Sequence, residues 1–286
     1  MLSQNECGVD LEIIVSDNSS NDHVQNMIYK EYPRSDKFKY VKRSPTLSSD
    51  HNHNKVIVNE TTSDYVVMFH DDDILLPDYL TKVVAALSDY PNVSAIGCNA
   101  KIIENTKDKV RKKSFNSDRV IEFLNEKDFL LRYLLGGGGV APWPGYLYRT
   151  EFLVQEQLDS CERSGKHQDV MLLSNLINYS KVIWLPEVLM YYRIHTSNIS
   201  SIETIHDRLR LIRYMSQRGI DRRSREILLY KYLYFLKWAK NKPNKLSSLL
   251  KRRSFRTIVK FLISKSLRNF FDIYFWSVII QRIIHR

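Results

Sequence analysis

From Asp64 to Leu80 the chain reads DYVVMFHDDDILLPDYL, an apolar run that drives into three consecutive carboxylates and then a proline. Tyr65-Val66-Val67-Met68-Phe69 is β-rich without a polar break, the pattern of a strand buried on both faces of a largely parallel sheet. Asp71, Asp72 and Asp73 therefore stand where that strand ends. In open α/β sheets ligands bind beyond the carboxyl ends of the strands, and adjacent carboxylates there repel one another unless a cation or bound donors hold them. The ions that suit such a group are Mg²⁺ or Mn²⁺, which prefer oxygen ligands and bridge carboxylates to a substrate diphosphate. A solvated turn is the plain alternative for three acidic residues in a loop.

A second strand candidate, Leu11 to Val15, runs into Ser16-Asp17-Asn18-Ser19-Ser20-Asn21-Asp22. Asp17 leaves its strand in the same sense as Asp71 to Asp73 leave theirs, so parallel neighbours would bring all these carboxylates to one rim. Asp and Asn in such a loop are also helix N-caps, and Asn21 or Asp22 is expected to cap a helix from His23 to Glu31. A short strand at Lys39 to Val41 and a helix from about His51 to Asn59, capped by Ser49-Asp50, continue the α/β alternation.

Pro77 fits the first turn of a helix through Leu87, with Leu80, Val83, Val84 and Leu87 at helical spacing. Val93 to Gly97 returns to the sheet, residues 101 to 119 read as a surface excursion or hairpin, and Glu126 to Leu135 as a helix that stops at Gly136. Gly136 to Gly145, with Trp143 between two prolines, is a loop suited to shaping an acceptor pocket. Its four glycines lack the Gly-Lys-Ser/Thr of a P-loop. His167-Gln168-Asp169 opens a helix through Leu172, Leu173 and Leu176, which makes Asp169 a cap or a dipole-complementing carboxylate on its own evidence. Strands at Val182 to Trp184 and Val188 to Ile194 end at His195.

At 286 residues, 43% hydrophobic and 26% charged, the chain is a foldable globular protein with room for one large domain and an appendage. Cys7, Cys98 and Cys161 are odd in number and without C-x-x-C pairing, and read as reduced thiols in a cytosolic compartment. The net charge of +11 is unevenly placed. Residues 204 to 286 carry 21 Lys+Arg against 4 Asp+Glu, so the first 203 residues are acidic overall.

Four blocks carry a resemblance: EIIVSDNSSND at 12 to 22, DHNHNK at 50 to 55, YVVMFHDDDILLPDYL at 65 to 80, and HQDVMLL at 167 to 173 followed by YYRIHTSNIS at 191 to 200. In this order they resemble a family 2 glycosyltransferase of the GT-A fold, of the kind that builds bacterial surface polysaccharides such as O-antigen. The resemblance implies a Rossmann-like α/β/α sandwich with a mostly parallel central sheet over residues 1 to 203, and a C-terminal helical extension over 204 to 286. It implies an inverting, Mg²⁺- or Mn²⁺-dependent transfer of a hexose or deoxyhexose from a nucleotide-sugar donor to a lipid-linked oligosaccharide acceptor. By the same resemblance Asp17, Asn52, Asn54, Lys55, Asp71 and Asp72 bind the donor. Asp72, Asp73 and His195 meet the metal, Asp169 is the general base, and Trp143 lies on the acceptor loop. At position 70, where many relatives carry an acidic residue, this chain has His70. The family also usually begins with a strand and a helix before Asp17, and Met1-Leu2-Ser3-Gln4 resembles the end of that helix. The chain as written is therefore expected to be unstable or inactive unless those residues are supplied.

The basic tail mixes Lys and Arg with Tyr230, Tyr234, Phe261, Phe270, Phe275 and Trp276. Its longest weakly charged stretch, Asn269 to Gln281, is too short to span a bilayer. Cationic and aromatic faces of this kind describe interfacial helices on an anionic membrane surface, here the inner face of the bacterial cell membrane; ordinary helical packing is the alternative. Two further functions compete with transfer. One is a catalytically impaired nucleotide-sugar-binding remnant. The other, a basic nucleic-acid-binding protein, rests on charge alone because no binding motif accompanies it, and nucleic acid is not expected as a partner.

Overall fold

The computed structural model describes residues 3 to 230 apart from 6, 33–36, 105–108, 111–116, 135–138, 157–163, 195–204, 223, 225, 228 and 229. His195, Gly136 to Gly138, Cys161 and the tail from residue 231 onward lie outside the described residues. Two compact units divide the chain, Met1–Ile220 and Asp221–Arg286. The strands and helices that position the candidate site all belong to the first unit.

Strand β1 (Ile13–Asp17) and β2 (Phe38–Lys42) pair in parallel through the crossover helix α1 (His23–Glu31), with Asp17 opposite Lys42. The Asn21 side chain accepts a hydrogen bond from the His23 N–H at 3.1 Å, which seats the start of α1. Helix α2 (Ser49–Lys55) continues directly into a π-helical turn, Val56–Glu60. A seven-stranded mixed sheet follows. It contains β3 (Tyr65–Val67), β4 (Ile74–Leu75), β5 (Val93–Glu104), β6 (Lys109–Val110), β7 (Ile121–Phe123), β8 (Leu147–Arg149) and β9 (Lys181–Ile194), in the main order β3-β8-β5-β9-β4. The intervening helices are α3 (Tyr79–Asp89), α4 (Glu126–Leu134), α5 (Thr150–Glu156), α6 (Gln168–Leu176) and, after β9, α7 (Ile205–Gln217).

The chain is α/β as expected, but its sheet is mixed where a mostly parallel one is expected. Among the described residues its one long ladder, β5 with β9, is parallel, and the short ladders are antiparallel. The antiparallel pairs come from β4, β6 and β7 and from β8, which inserts between β3 and β5. Three residues are too few for a hydrophobic period to announce a strand, and Tyr146, Leu147 and Tyr148 are all buried, so no alternation shows. The two strands expected within 182 to 194 are one continuous β9. Pro186 is accommodated at a register shift opposite Cys98 and Asn99, where the Asn99 amide donates to Pro186 O at 3.1 Å. The excursion after residue 101 begins as a β5–β6 hairpin.

The core forms where α3 lays Tyr79, Leu80, Val83 and Ala86 against β5 and β9 residues Ile96, Cys98, Ile183 and Met190. Each fully buried Leu or Val of this kind stabilises the fold by about 1.5–3 kcal/mol. At the chain start, Gln4 clamps the turn that follows the acidic loop. Its amide donates to Leu76 O at 2.8 Å and its oxygen accepts from Leu80 N–H at 3.0 Å, while Asn5 N–H donates to Pro77 O at 2.9 Å. Among the described residues β1 has only β2 as a ladder partner and β3 only β8. No helix among them is long and apolar enough to cross a membrane.

Candidate active site

Asp17 ends β1 as a buried carboxylate whose acceptor positions are filled from within the chain. Oδ1 accepts from the Ser19 N–H (2.9 Å) and Ser19 hydroxyl (2.6 Å); Oδ2 accepts from the Tyr40 hydroxyl (2.7 Å) and Lys42 Nζ (2.9 Å). Burial pushes the carboxyl up, but these bonds from Ser19, Tyr40 and Lys42 outweigh it and hold Asp17 well below the usual carboxylate range. Parallel pairing explains the arrangement, since Tyr40 and Lys42 stand on β2 beside the end of β1.

One residue back, Ser16 Oγ donates to Asn52 Oδ1 at 2.6 Å, and Arg43 Nε lies 3.0 Å from both oxygens. Arg43 also reaches Glu60 at 3.3 Å, and Lys39 holds the other Glu60 oxygen at 3.1 Å. Lys39 draws the Glu60 carboxyl down against the effect of burial, with help from Arg43. The π-helical turn brings Glu60 to this network, which joins the β1 loop to α2. A reciprocal amide clamp between Asn18 and the Leu47 backbone, 2.8 Å in both directions, closes the opposite side. Asn54 lies on the same helix, and Lys55 is exposed at its end.

The acidic loop lies between β3 and β4. Its three carboxylates are not equivalent. Asp71 is exposed, Asp72 is half-buried and Asp73 is buried, with its side chain fully enclosed. Asp73 Oδ1 accepts from the Arg193 N–H of β9 at 2.7 Å, and Arg193 Nε donates to Asp72 O at 2.9 Å, so the β4–β9 ladder fixes the loop. Among the described residues Asp73 Oδ2 has no hydrogen-bond donor. Burial, together with the charges of Asp72 and Asp71, raises this carboxyl to about 7 although Arg193 opposes them.

His70 turns into the same loop, its Nδ1 3.9 Å from Asp73 Oδ2. A ligand atom from each of His70, Asp72 and Asp73 lies within 4.8 Å of the others. The His70 ring meets Trp143 edge-on at 5.5 Å between centroids, and His53 of α2 packs against both, 5.5 Å from Trp143 and 6.2 Å from His70. Burial lowers both imidazoles from their ordinary value, His53 adding to the effect on His70 while Asp72 and Asp71 oppose it. An oxygen pair and an imidazole around one buried, donor-less carboxylate oxygen suit a divalent cation.

Asp169 stands in the first turn of α6 with partial solvent contact. Burial raises its carboxyl above the ordinary range against the pull of the Val170 N–H and the nearby His167. Burial raises the hydroxyls of Tyr146 and Tyr148, and the Asp169 charge adds to it. Tyr146 is seated by Gly97, where a Cβ would fall 2.3 Å from the phenol ring, and its hydroxyl donates to Val140 O at 2.6 Å. Trp143 is three residues before Tyr146, so one short turn runs from the His70 group towards Asp169. The turn into α6 needs Gly165, with φ +65° and no room for a Cβ beside Asp207. Helix α7 then braces α6. The Tyr214 hydroxyl lies 2.6 Å from Asn175 Oδ1 and 3.0 Å from Met171 O, while Arg218 covers the Tyr214 ring and pairs with Glu126.

Of the residues singled out in the sequence, Asp72 and Asp73 come together, Trp143 packs beside them through His70, and Asp17 and Asn52 share one network through Ser16. Asp169 stands in the first turn of α6, near enough to Tyr146 and Tyr148 for its charge to reach them. His70, His53, Ser16 and Arg43 belong to these groups without having been marked as ligands or contacts. His70 carried a signal, a ring-nitrogen donor directly before three carboxylates.

Residues 2–153 match the family model described as Glycosyl transferase family 2. No curated protein matches the chain. Among solved structures, S. aureus TarS 1-349 in complex with UDP-GlcNAc is similar at a TM-score of 0.56 and 15% identity, covering 75% of this chain and 59% of that one. S. aureus TarS 1-349 alone gives 0.54 at 15% identity over 91% and 73%. The same protein in complex with UDP gives 0.51 at 15% identity over 77% and 66%. This chain thus spans 59% and 66% of the two ligand-bound structures, and at such identity the likeness speaks to the fold.

Proposed function

The chain belongs to glycosyl transferase family 2, and from that premise we propose that it moves a sugar, with inversion, from a nucleotide-sugar donor to a saccharide acceptor. The observation that carries the reading is the buried, donor-less Oδ2 of Asp73 beside Asp72 and His70, on the loop that leaves β3 inside the matched region. The TarS complexes with UDP-GlcNAc and UDP support a uridine nucleotide as the first donor to try.

Asp72, Asp73 and His70, with His195 as a further candidate, would hold Mg²⁺ or Mn²⁺. Such an ion supplies positive charge where negative charge develops on a leaving diphosphate. Asn52, Asn54, Lys55 and Asp71 line the donor side of the proposal. Asp17 belongs there too, but its oxygens already accept four bonds, so a nucleotide base has to displace one of the donors. Lys42 is the one to move, because it is partly exposed and also contacts Asn21 O and Asp22. Asp169 takes the proton of the attacking hydroxyl. Its raised carboxyl is a stronger base once ionised than an ordinary aspartate, and one base suffices for attack opposite the leaving group. Trp143 forms the edge of the acceptor subsite. A lipid-linked saccharide of a bacterial surface polysaccharide is the proposed acceptor, held at an anionic membrane surface by the basic residues after 204.

The test is a thermal-shift and turnover screen of nucleotide sugars with Mn²⁺ on the wild type and Asp169→Asn. Donor binding is expected to survive the substitution while turnover falls about 10³-fold. Wild-type turnover should rise with pH through a midpoint above the ordinary aspartate range, because Asp169 accepts a proton only when ionised. Undiminished turnover in Asp169→Asn removes the base assignment. A protein that no nucleotide sugar stabilises loses the proposal.

A further inference from the structure

We infer that His70 is a metal ligand in its own right, and that its ring nitrogen makes this a site selective for first-row transition ions, Mn²⁺ among them, over Mg²⁺. The inference rests on the cation reading above and deepens it. Three observations carry it. The side chain of Asp73 is fully enclosed and presents an oxygen with no hydrogen-bond donor among the described residues. That oxygen lies 3.9 Å from His70 Nδ1. A ligand atom of Asp72 completes a group whose members are all within 4.8 Å of one another. Octahedral ligands at about 2.1 Å stand about 3.0 Å apart when adjacent and about 4.2 Å apart when opposite. The group therefore needs only small side-chain movements to close on one ion.

The donor set then decides which ion. Mg²⁺ prefers oxygen and sheds water reluctantly, so an imidazole is a poor ligand for it. Along the first-row transition series nitrogen ligands bind progressively better, and Mn²⁺ already accepts mixed oxygen and nitrogen sets. A carboxylate at position 70 would give an all-oxygen site open to both ions. His70 replaces that carboxylate and adds no further negative charge to a loop that already holds three. Trp143 and His53 pack on the ring and limit its rotamers, the kind of support that orients a ligating histidine.

The experiment uses the full chain with UDP present, in a His195→Asn parent that serves as the wild type at position 70, so that imidazole coupling to the ion reports His70. Mn²⁺ is titrated and followed by loss of the free-ion signal in continuous-wave electron paramagnetic resonance, Mg²⁺ is used as competitor, and pulsed spectra are read for ¹⁴N coupling to the bound ion. The wild type should show the coupling, and Mg²⁺ should displace Mn²⁺ only at about hundredfold excess or more. His70→Asp should bind Mn²⁺ without the coupling and lower the Mg²⁺ excess needed by about tenfold or more. His70→Asn is the second variant should the added charge of His70→Asp prevent folding; it too should lose the coupling. A merely packed histidine would leave the coupling absent in the wild type. Coupling that persists in the variants, or an unchanged ratio of Mn²⁺ to Mg²⁺ in His70→Asp, overturns the role of His70 while leaving the cation site standing. Absence of Mn²⁺ binding to the wild type, or its full retention in Asp72→Asn, overturns the cation site itself.

Discussion

Two strand ends in this protein carry carboxylates, and they are treated in opposite ways. At the end of β1, Asp17 is buried with four hydrogen-bond donors around it and is held ionised far below its ordinary range. On the loop after β3, Asp73 is equally buried, has among the described residues one backbone donor on one oxygen and none on the other, and is raised to about 7. Burial is the first cause in both. The difference lies in how many donors the neighbouring strands deliver. A carboxylate that its own fold satisfies contributes stability, whereas one left short by a donor and crowded by like charge favours binding a cation. The comparison separates a carboxylate that its own fold satisfies from one left open, although both stand at strand ends with similar sequence surroundings.

The largest effect that could break the comparison is on stability. Asp17→Ala removes the acceptor for Tyr40, Lys42 and Ser19 and should cost about 2–3 kcal/mol in denaturant unfolding. Asp73→Asn in metal-free protein at pH 8 should cost less than about 1 kcal/mol or stabilise. It keeps an oxygen for the Arg193 N–H and relieves repulsion from Asp71 and Asp72. Equal losses in the two variants would erase the distinction. A somewhat smaller effect sharpens it. Mn²⁺ at a hundred times its dissociation constant should stabilise the wild type by about 2.7 kcal/mol, act similarly on a folded Asp17→Asn, and do little for Asp73→Asn, all read as shifts of the melting temperature.

The smallest effect lies in the pH dependence, with opposite signs at the two sites. Asp17 has a depressed folded-state value. Its contribution is present above the ordinary value of 3.8 and is lost as pH falls, so Asp17→Asn should flatten the acid limb of the stability curve. Asp73 is raised. Its contribution is complete below 3.8 and disappears as pH rises through about 7, so metal-free wild type should lose stability across that interval and Asp73→Asn should not. Identical slopes for the two variants would show that the donors around Asp17 do not set its ionisation.

Much of this contrast was hidden in the sequence, while much of the scaffold was not. Helix α1 falls on His23–Glu31 as its cap and length predict, and α3 buries Leu80 and Val83, two of the positions picked by helical spacing. The strand that ends in Asp17 and the one that ends before Asp71 are both present, each with its polar loop at the carboxyl end. Sequence spacing could not show that Tyr40 and Lys42, more than twenty residues later, would close around Asp17, because that depends on the parallel register of β2. Nor could it show β8, whose buried Leu147 and Tyr148 carry no alternation and whose antiparallel pairing, with that of β4, β6 and β7, makes the expected parallel sheet a mixed one. His70 was visible only as a departure from an acidic pattern, and its place facing Asp73 Oδ2 required Trp143 and His53 to be brought in from two distant segments.

By itself the sequence determined the α/β alternation and the strand-end location of the acidic residues, which follow from hydrophobic period and local order along the chain, and the family, which follows from the motif blocks it carries. Only the tertiary structure decided which carboxylate is satisfied and which is left open. Hydrogen-bond donors arrive from strands remote in sequence, and the state of a buried charge is set by the number of donors that reach it.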